Sequence, residues 1–451
     1  MASIKKPKSH LETLAQSAEA VVKLMPQFRA VDQKGRYLHW HDFKHRVPAG
    51  IDADAAWAAV KLSRAAILKS VGLCSESGKP FNYCLPDSAQ TVIHQIDQLN
   101  ARLGSSVSSA STAGESNSYL VESLMMEEAI SSAQLEGAVT TRKVAKQMLE
   151  KERPPVNDDE RMIVNNFLQM KLARRSKDEP LSLELIRQFH AEVTQGIDVD
   201  HSCPGEIRQN DDIFVVGRDS EIAHQPPAAA SLPQRLEALC GFANQNHDGL
   251  EGRLFIHPAV KAIILHFMIG FEHPFNDGNG RTARCLFYWY MLKCGYWSFE
   301  YVSISALLKD APMKYGESYL FTETDDLDLT YFICHQLSII QRAINDFLKY
   351  IERKRNDFVA IIELLTESGF NKTLNFRQIH LLKKLLRNPG RLFTAKEVKN
   401  DFDISENTAR TDLEKLYQLK LLGKSREGKT WYYIAREDAM AHIRGSGSNR
   451  G

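Results

Sequence analysis

A mainly α protein with a few short β elements is predicted for this 451-residue chain. Three observations carry that expectation. Apolar residues recur at helical spacing along most of residues 120–355. End markers fit those stretches, with Pro258 at a first turn and Gly137 just past a last one. The β-like runs are short and bounded by turn residues, at Asp212–Gly217 and Leu422–Tyr433.

In chain order, residues up to about 25 are polar and expected to be loose. Arg36–Phe43 reads as strand-like. Ala53–Ser70 is a helix with Trp57, Val60, Leu62, Ile67 and Leu68 on its apolar face, and Ser88–Leu103 is another. The Ser/Gly/Ala/Thr tract Ser105–Ser118 has no apolar periodicity and reads as a linker, which makes residues 1–104 an N-terminal accessory domain. A helical unit over 119–360 follows, with helices at Leu120–Glu136, Arg142–Glu150, Asp158–Leu172, Leu183–Gln195, Pro233–Gln245, Pro258–Glu272, Arg281–Lys293 and Leu329–Arg355. Asp212–Gly217 interrupts it as a hairpin. Residues 371–438 form a third unit, with helices at Phe376–Leu386, Thr394–Phe402 and Ser405–Leu419 before a basic hairpin. A disordered tail is expected over 439–451.

Composition excludes whole classes. The hydrophobic fraction is 43% and the formal net charge +1, so the chain is neither collagenous nor mostly disordered, and its overall field draws it to neither nucleic acid nor membrane. Its seven cysteines are odd in number and lack a CxxC pair, as expected of reduced thiols. The basic N-terminus leads into no apolar segment. The most apolar stretch, Ala262–Phe271, is far short of the roughly 18 residues of a membrane span. A cytoplasmic protein with no membrane partner is expected.

Chemistry concentrates in His273-Pro274-Phe275-Asn276-Asp277-Gly278-Asn279-Gly280-Arg281-Thr282-Ala283-Arg284. Pro274 stops an apolar helix. Gly278 and Gly280 let the backbone come close to a ligand, and the N–H groups at the start of the next helix make an anion site. Arg281 and Arg284 are one turn apart and can share a phosphate chain. Asp277 is a hard oxygen ligand suited to Mg²⁺ beside phosphates, and His273 can take a proton at neutral pH. A base, a metal ligand, an anion cradle and two guanidiniums within twelve residues amount to a phosphoryl-transfer site.

This segment resembles the Fic-family signature HPFx[D/E]GNGRxxR at every fixed position. The resemblance runs from about Tyr119 to Arg355 and includes Pro204-Gly205-Glu206-Ile207-Arg208 and Gln225-Pro226-Pro227; Glu272, before the His, stands where the family often has an apolar residue. It implies a helical core with a β-hairpin flap that moves AMP from ATP onto a protein hydroxyl. His273 would be the general base, Asp277 would hold Mg²⁺, and the backbone at Gly278, Asn279 and Gly280 with Arg281 and Arg284 would bind the phosphates. Ile213, Phe214, Val215 and Val216 would align the target by strand addition. Ser132-Ala133-Gln134-Leu135-Glu136-Gly137 resembles the family's inhibitory motif (S/T)xxxE(G/N), in which Glu136 would pair with Arg284. Tyr315 and Tyr319 lie where the family places aromatics near the base, and a core role fits them equally. His39, His41 and His45 lack a fourth ligand and a metal-site spacing and are assigned to packing or regulation.

Residues 371–438 look like a winged helix-turn-helix. They carry 15 lysines and arginines against 9 acidic residues. Ser405 would cap a recognition helix bearing Asn407, Thr408, Arg410 and Thr411, with Lys424, Arg426 and Lys429 on the wing, an arrangement suited to DNA phosphates. A winged helix used only for protein contacts is the alternative. The reading as a whole is a self-inhibited protein adenylyltransferase that uses ATP and Mg²⁺, modifies a Ser, Thr or Tyr hydroxyl of a target and of itself, and forms a homodimer. The alternatives are removal of AMP or transfer of another nucleotide at the same site, and a DNA-binding regulator whose core senses nucleotide.

Overall fold

A computed structural model describes residues 4, 6–108, 114–150, 153–197, 203–216, 222–300, 302–367, 373–386, 392–402, 404–427, 430–436, 438–439, 441 and 443. Its elements in order are α1 (His10–Leu24), α2 (Trp40–Phe43), α3 (Ala53–Ala65), β1 (Lys69–Cys74), β2 (Pro80–Tyr83), α4 (Asp87–Ser108), α5 (Gly114–Leu135), α6 (Arg142–Glu150), α7 (Asp158–Arg175) and α8 (Leu183–Thr194). There follow β3 (Val215–Val216), β4 (Ile222–His224), α9 (Leu232–Asn244), α10 (Pro258–Glu272), α11 (Asn279–Lys293), α12 (Ser305–Asp310), α13 (Pro312–Thr324) and α14 (Thr330–Glu367). The last are α15 (Phe376–Leu386), α16 (Ala395–Phe402), α17 (Glu406–Gln418), β5 (Leu422–Glu427) and β6 (Thr430–Ala435). The chain is mainly helical, and its three described sheets are antiparallel pairs, β1–β2, β3–β4 and β5–β6. Two compact units form, residues 1–106 with 121–344, and residues 107–120 with 345–451.

The first unit is built around α10 and α11, which pack along each other. Helix α10 is apolar on every side, and Ile263, Ile264, Leu265 and Phe267 are fully buried, as such a helix must be. Pro258 opens it, and the His257 ring caps it by accepting from the N–H of Ala259. Helices α7 and α8 pack on α11, and α9 on α10. Asn157 and Ser182 cap α7 and α8 through their side-chain oxygens.

The N-terminal region clusters in this same compact unit. Buried charges join it to the segment after α13: Lys61 meets Asp325 at 2.8 Å, Arg64 donates to the Tyr331 hydroxyl, and Tyr37 donates to Asp328. Charges removed from water in this way stay ionised only with such partners. Arg36–Phe43 is a loop running into α2, not a strand. His39 lies within it, buried and stacked on Phe321 at 4.4 Å, and among the described residues no cluster of three or more His, Cys, Asp or Glu side chains is placed to hold a metal. The tract read as a linker is helical over 105–108 and 114–118, as extensions of α4 and α5; residues 109–113 lie outside the described residues. Helices α1, α12 and α13 and the β1–β2 hairpin were not foreseen.

The second unit has its own core, with Leu381, Leu382, Leu385, Phe393, Leu413, Leu416 and Leu421 fully buried. Its order of three helices and a hairpin is the one expected, and the Ser405 hydroxyl caps α17 by accepting from Thr408 N–H at 3.1 Å. Phe393 and Tyr433 exchange backbone hydrogen bonds at 2.8 Å, which adds a bridge to β6. Ala439 and Ile443 are buried, so the expected loose tail starts too early at 439; residues 444–451 lie outside the described residues. All seven cysteines are free thiols. No helix among the described residues is long and apolar enough to cross a membrane.

Candidate active site

Helix α10 ends at His273, whose backbone is left-handed (φ 46°, ψ 57°). That turn of the chain swings the imidazole out of the helix line. Nδ1 faces the Gly270 carbonyl at 3.3 Å; donation there leaves Nε2 with its lone pair outward, as a base requires. Burial pulls the ring's pKa down to about 4, and the nearby cations His224 and Arg208 add to that against the opposing Gly270 contact. The imidazole is thus neutral near pH 7.

The loop after it is closed by side chains. Asn279 accepts from Phe275 N–H at 3.0 Å and donates to the Phe275 carbonyl at 2.7 Å. Gly278 takes φ 77° as the residue before α11, where a side chain would be strained. His190 on α8 stacks on Phe275 at 3.7 Å; its Nδ1 accepts from Gly205 N–H, so its Nε2 donates to the Asp277 carbonyl at 2.8 Å. Helix α11 therefore presents its N-terminal N–H groups at a loop whose shape is fixed from within.

The two arginines differ. Arg281 is turned inward, donating to Val193 O and to Asp277 Oδ2, each at 2.9 Å. Arg284 is buried and meets α5 and the residue just past it: Nε donates to Ser132 Oγ at 3.0 Å and Nη2 to Glu136 Oε1 at 2.8 Å. Burial opposes the Arg284 charge, but Glu136 outweighs it and raises the pKa. Glu136 follows the end of α5, where Gly137 at φ 104° reverses the chain. A Cβ on Gly280 would come within 2.5 Å of Glu136 Oε1 and 3.2 Å of Arg284 Nη1. The carboxylate thus lies against the first turn of α11, where an anion would sit.

In the hairpin, Val215 pairs with His224 and Val216 with Ile222. Strand pairing covers only Val215 and Val216 of the expected flap; Ile213 and Phe214 precede it, Phe214 is exposed, and Gly217 lies outside the described residues. In the second unit Asn407, Arg410 and Thr411 are exposed, while Thr408 is half-buried with its hydroxyl against Ser405. Lys424 is paired with Glu414 at 2.6 Å and lies over Trp431, which Arg426 also approaches. Lys429 lies outside the described residues.

Four residues with no assigned role in the sequence reading hold the site. Besides His190, Arg208 is buried; its Nε donates to the His273 carbonyl at 2.9 Å and its Nη groups to Asn210 and Pro227 carbonyls. Glu272, the departure from the family pattern, turns away from His273 into a two-bond pair with Arg235. His224 reaches the Phe271 carbonyl. Arg208 lay in a motif and Glu272 stood out as a departure from the family pattern; His190 and His224 came with no sequence signal.

The residues fit a phosphate chain. Among the described residues Arg284 Nη1 and Arg281 Nε are buried without a hydrogen-bond partner, which an arriving anion can relieve. Asp277, partly exposed, is the one carboxylate on the loop between α10 and α11; a single carboxylate suits Mg²⁺ when phosphates complete its shell.

Residues 180–291 match the model described as the Fic/DOC family, so the chain carries a Fic domain. The particular relatives are protein adenylyltransferases named Fic. The one from Drosophila virilis is 29% identical over 141 residues, 31% of this chain and 26% of the relative. That from Drosophila melanogaster is 28% identical over the same length and shares. The chain spans about a quarter of the length of these curated relatives. A Fic family protein structure from Desulfovibrio desulfuricans G20 has a TM-score of 0.47 at 16% identity, covering 76% of this chain and 96% of that one. Fic-1 (aa134 - 508) from C. elegans has a TM-score of 0.44 at 18% identity, covering 58% and 71%.

Proposed function

We propose that this chain is a self-restrained protein adenylyltransferase. The pairing of Arg284 with Glu136 at the first turn of α11, close to His273 in sequence and fold, carries the reading. With Glu136 displaced, Arg284 and the α11 N–H groups are free to take the triphosphate of ATP. His273 Nε2 removes the proton from a target hydroxyl, the oxygen forms a bond to the α-phosphorus, the α–β bridging bond breaks, and pyrophosphate leaves. Asp277 would hold Mg²⁺, which supplies charge neutralisation on the phosphates.

The test uses the full chain and α-labelled ATP with Mg²⁺. Label should appear on the chain in Glu136→Gly and vanish in Glu136→Gly/His273→Ala. No label in any form while ATP still binds would overturn the proposal in favour of a nucleotide-sensing regulator, AMP removal or a different donor. A second reading, AMP removal at the same site, is favoured by the partial exposure of the Glu136 side chain, 28%, beside the anion site, where it can orient a water. Release of AMP from a modified protein, lost in Glu136→Gly, would mark it.

A further inference from the structure

Helix α10 ends with carbonyls that no helical N–H can satisfy. Cationic side chains from outside the helix take two of them. Arg208, in the segment leading to β3, donates to the His273 carbonyl, and its own N–H donates to Pro274 O at 2.9 Å. His224, on β4, reaches the Phe271 carbonyl with Nε2 at 2.7 Å, while its Nδ1 meets Glu323 Oε2 of α13 at 2.7 Å. A carbonyl can only accept, and an ionised carboxylate can only accept. Both ring nitrogens of His224 must therefore donate, which makes it an imidazolium. Its ring is buried, and Glu323 Oε1 has no hydrogen-bond partner among the described residues, so His224 is that carboxylate's described hydrogen-bond partner.

We propose that His224 is a positioning residue for His273: as an imidazolium bridging Glu323 and the Phe271 carbonyl, it fixes the last turn of α10 and ties the β3–β4 hairpin to it. This rests on His273 serving as the base in the function proposed above. Other charged groups surround the bridge. Glu272 and His273 lie on α10, Arg208 on the segment before β3, Arg235 of α9 is held by Glu272, and Tyr319 stands one turn before Glu323 on α13. Burial works against the His224 charge, but the Glu323 hydrogen bond and charge outweigh it and raise the pKa. The sign follows: the bridge is complete below the ordinary histidine range and is lost as pH rises through the raised value.

The experiment compares His224→Gln, His224→Ala and Glu323→Gln in the full chain on the Glu136→Gly background. Transfer of labelled AMP is measured from about pH 5 to 9, and the His273 ring is titrated by NMR without nucleotide. His224→Gln should lower kcat about tenfold, leave the KM for ATP within about twofold, and abolish the alkaline fall in rate. Glu323→Gln, which keeps the ring, should move that fall to lower pH. In His224→Gln the His273 ring should titrate at higher pH, having lost a neighbouring cation. An unchanged His273 titration overturns the proposal whatever the activity. So does an alkaline limb that survives His224→Gln, or a loss of rate that only tracks a lower melting temperature. If Glu136→Gly itself transfers no AMP, the proposed function fails, and the NMR titration alone decides the role of His224.

Discussion

Replacing Glu136 by glycine tests the restraint most directly. The Arg284 guanidinium, about 2% exposed, would lose a 2.8 Å charge-assisted bond and keep its contacts to Ser132. Such a bond is worth about 1.5–3 kcal/mol, because the remaining charge is left poorly solvated. The variant should therefore melt lower by a destabilisation of about that size. The same free energy is what ATP must overcome to take Arg284 from Glu136. Removing it should tighten productive nucleotide binding about 10–100-fold and raise labelled-AMP transfer by a similar factor. Glycine at 136 also removes the carboxylate that faces the first turn of α11, so both effects have one sign. The assay pairs transfer of α-labelled AMP with thermal melting at rising ATP. ATP should stabilise Glu136→Gly more than the parent chain. Equal stabilisation of both by ATP, with equal transfer, would refute the competition between Glu136 and phosphate for Arg284.

Four further outcomes are expected. His273→Ala should abolish transfer while ATP still protects the chain from melting; transfer near the parent level would remove the base from His273. Asn279→Ala should cost about 1–3 kcal/mol, since the Phe275 N–H and carbonyl it satisfies are buried, and chemical denaturation measures it. Arg235→Met leaves Glu272 buried without its two-bond partner and should cost about 3–5 kcal/mol near neutral pH. Burial already raises the Glu272 pKa against the pull of Arg235. A raised carboxyl favours the fold below its unfolded value and loses that support as pH rises, so melts of Arg235→Met should recover toward pH 5 and worsen toward pH 8; the reverse trend would show that Glu272 is not the group left behind. A band shift of DNA fragments that falls with added salt and is lost in Arg410→Ala would support nucleic-acid binding by the second unit. Unshifted DNA would leave its exposed helix face to protein contacts.

Much of the helical frame was legible in the sequence because its punctuation is chemical. Arg142–Glu150, Pro258–Glu272 and Phe376–Leu386 agree to the residue, with proline, glycine or a cap at a boundary. The loop from His273 to Arg284 was legible as one contiguous motif. Its partner Glu136 came through the resemblance, 148 residues away from Arg284. The supports were hidden for the same reason: His190 acts on Asp277 across 87 residues, Arg208 on His273 across 65 and His224 on Phe271 across 47. No local pattern marks a side chain whose role is to satisfy a distant carbonyl. The Lys61–Asp325 ion pair that ties the N-terminal region to the segment after α13 spans 264 residues and leaves no trace in composition. Helix α1 was missed because it is largely exposed, with Val21 its one buried residue.

The left-handed backbone at His273 has a consequence for how the proposed base can be removed. A non-glycine residue there carries a conformational cost of order 1 kcal/mol, accepted because the imidazole must leave the helix axis at that point. Alanine keeps the cost and discards the ring. Glycine discards both. His273→Gly should thus be inactive yet sturdier than His273→Ala, and the difference between the two melts would measure what the fold gives up to present its base. A natural copy of this chain that had lost the reaction would be under no pressure to keep that strain, and glycine or asparagine at 273 would be the mark of a scaffold relaxed into a binding role.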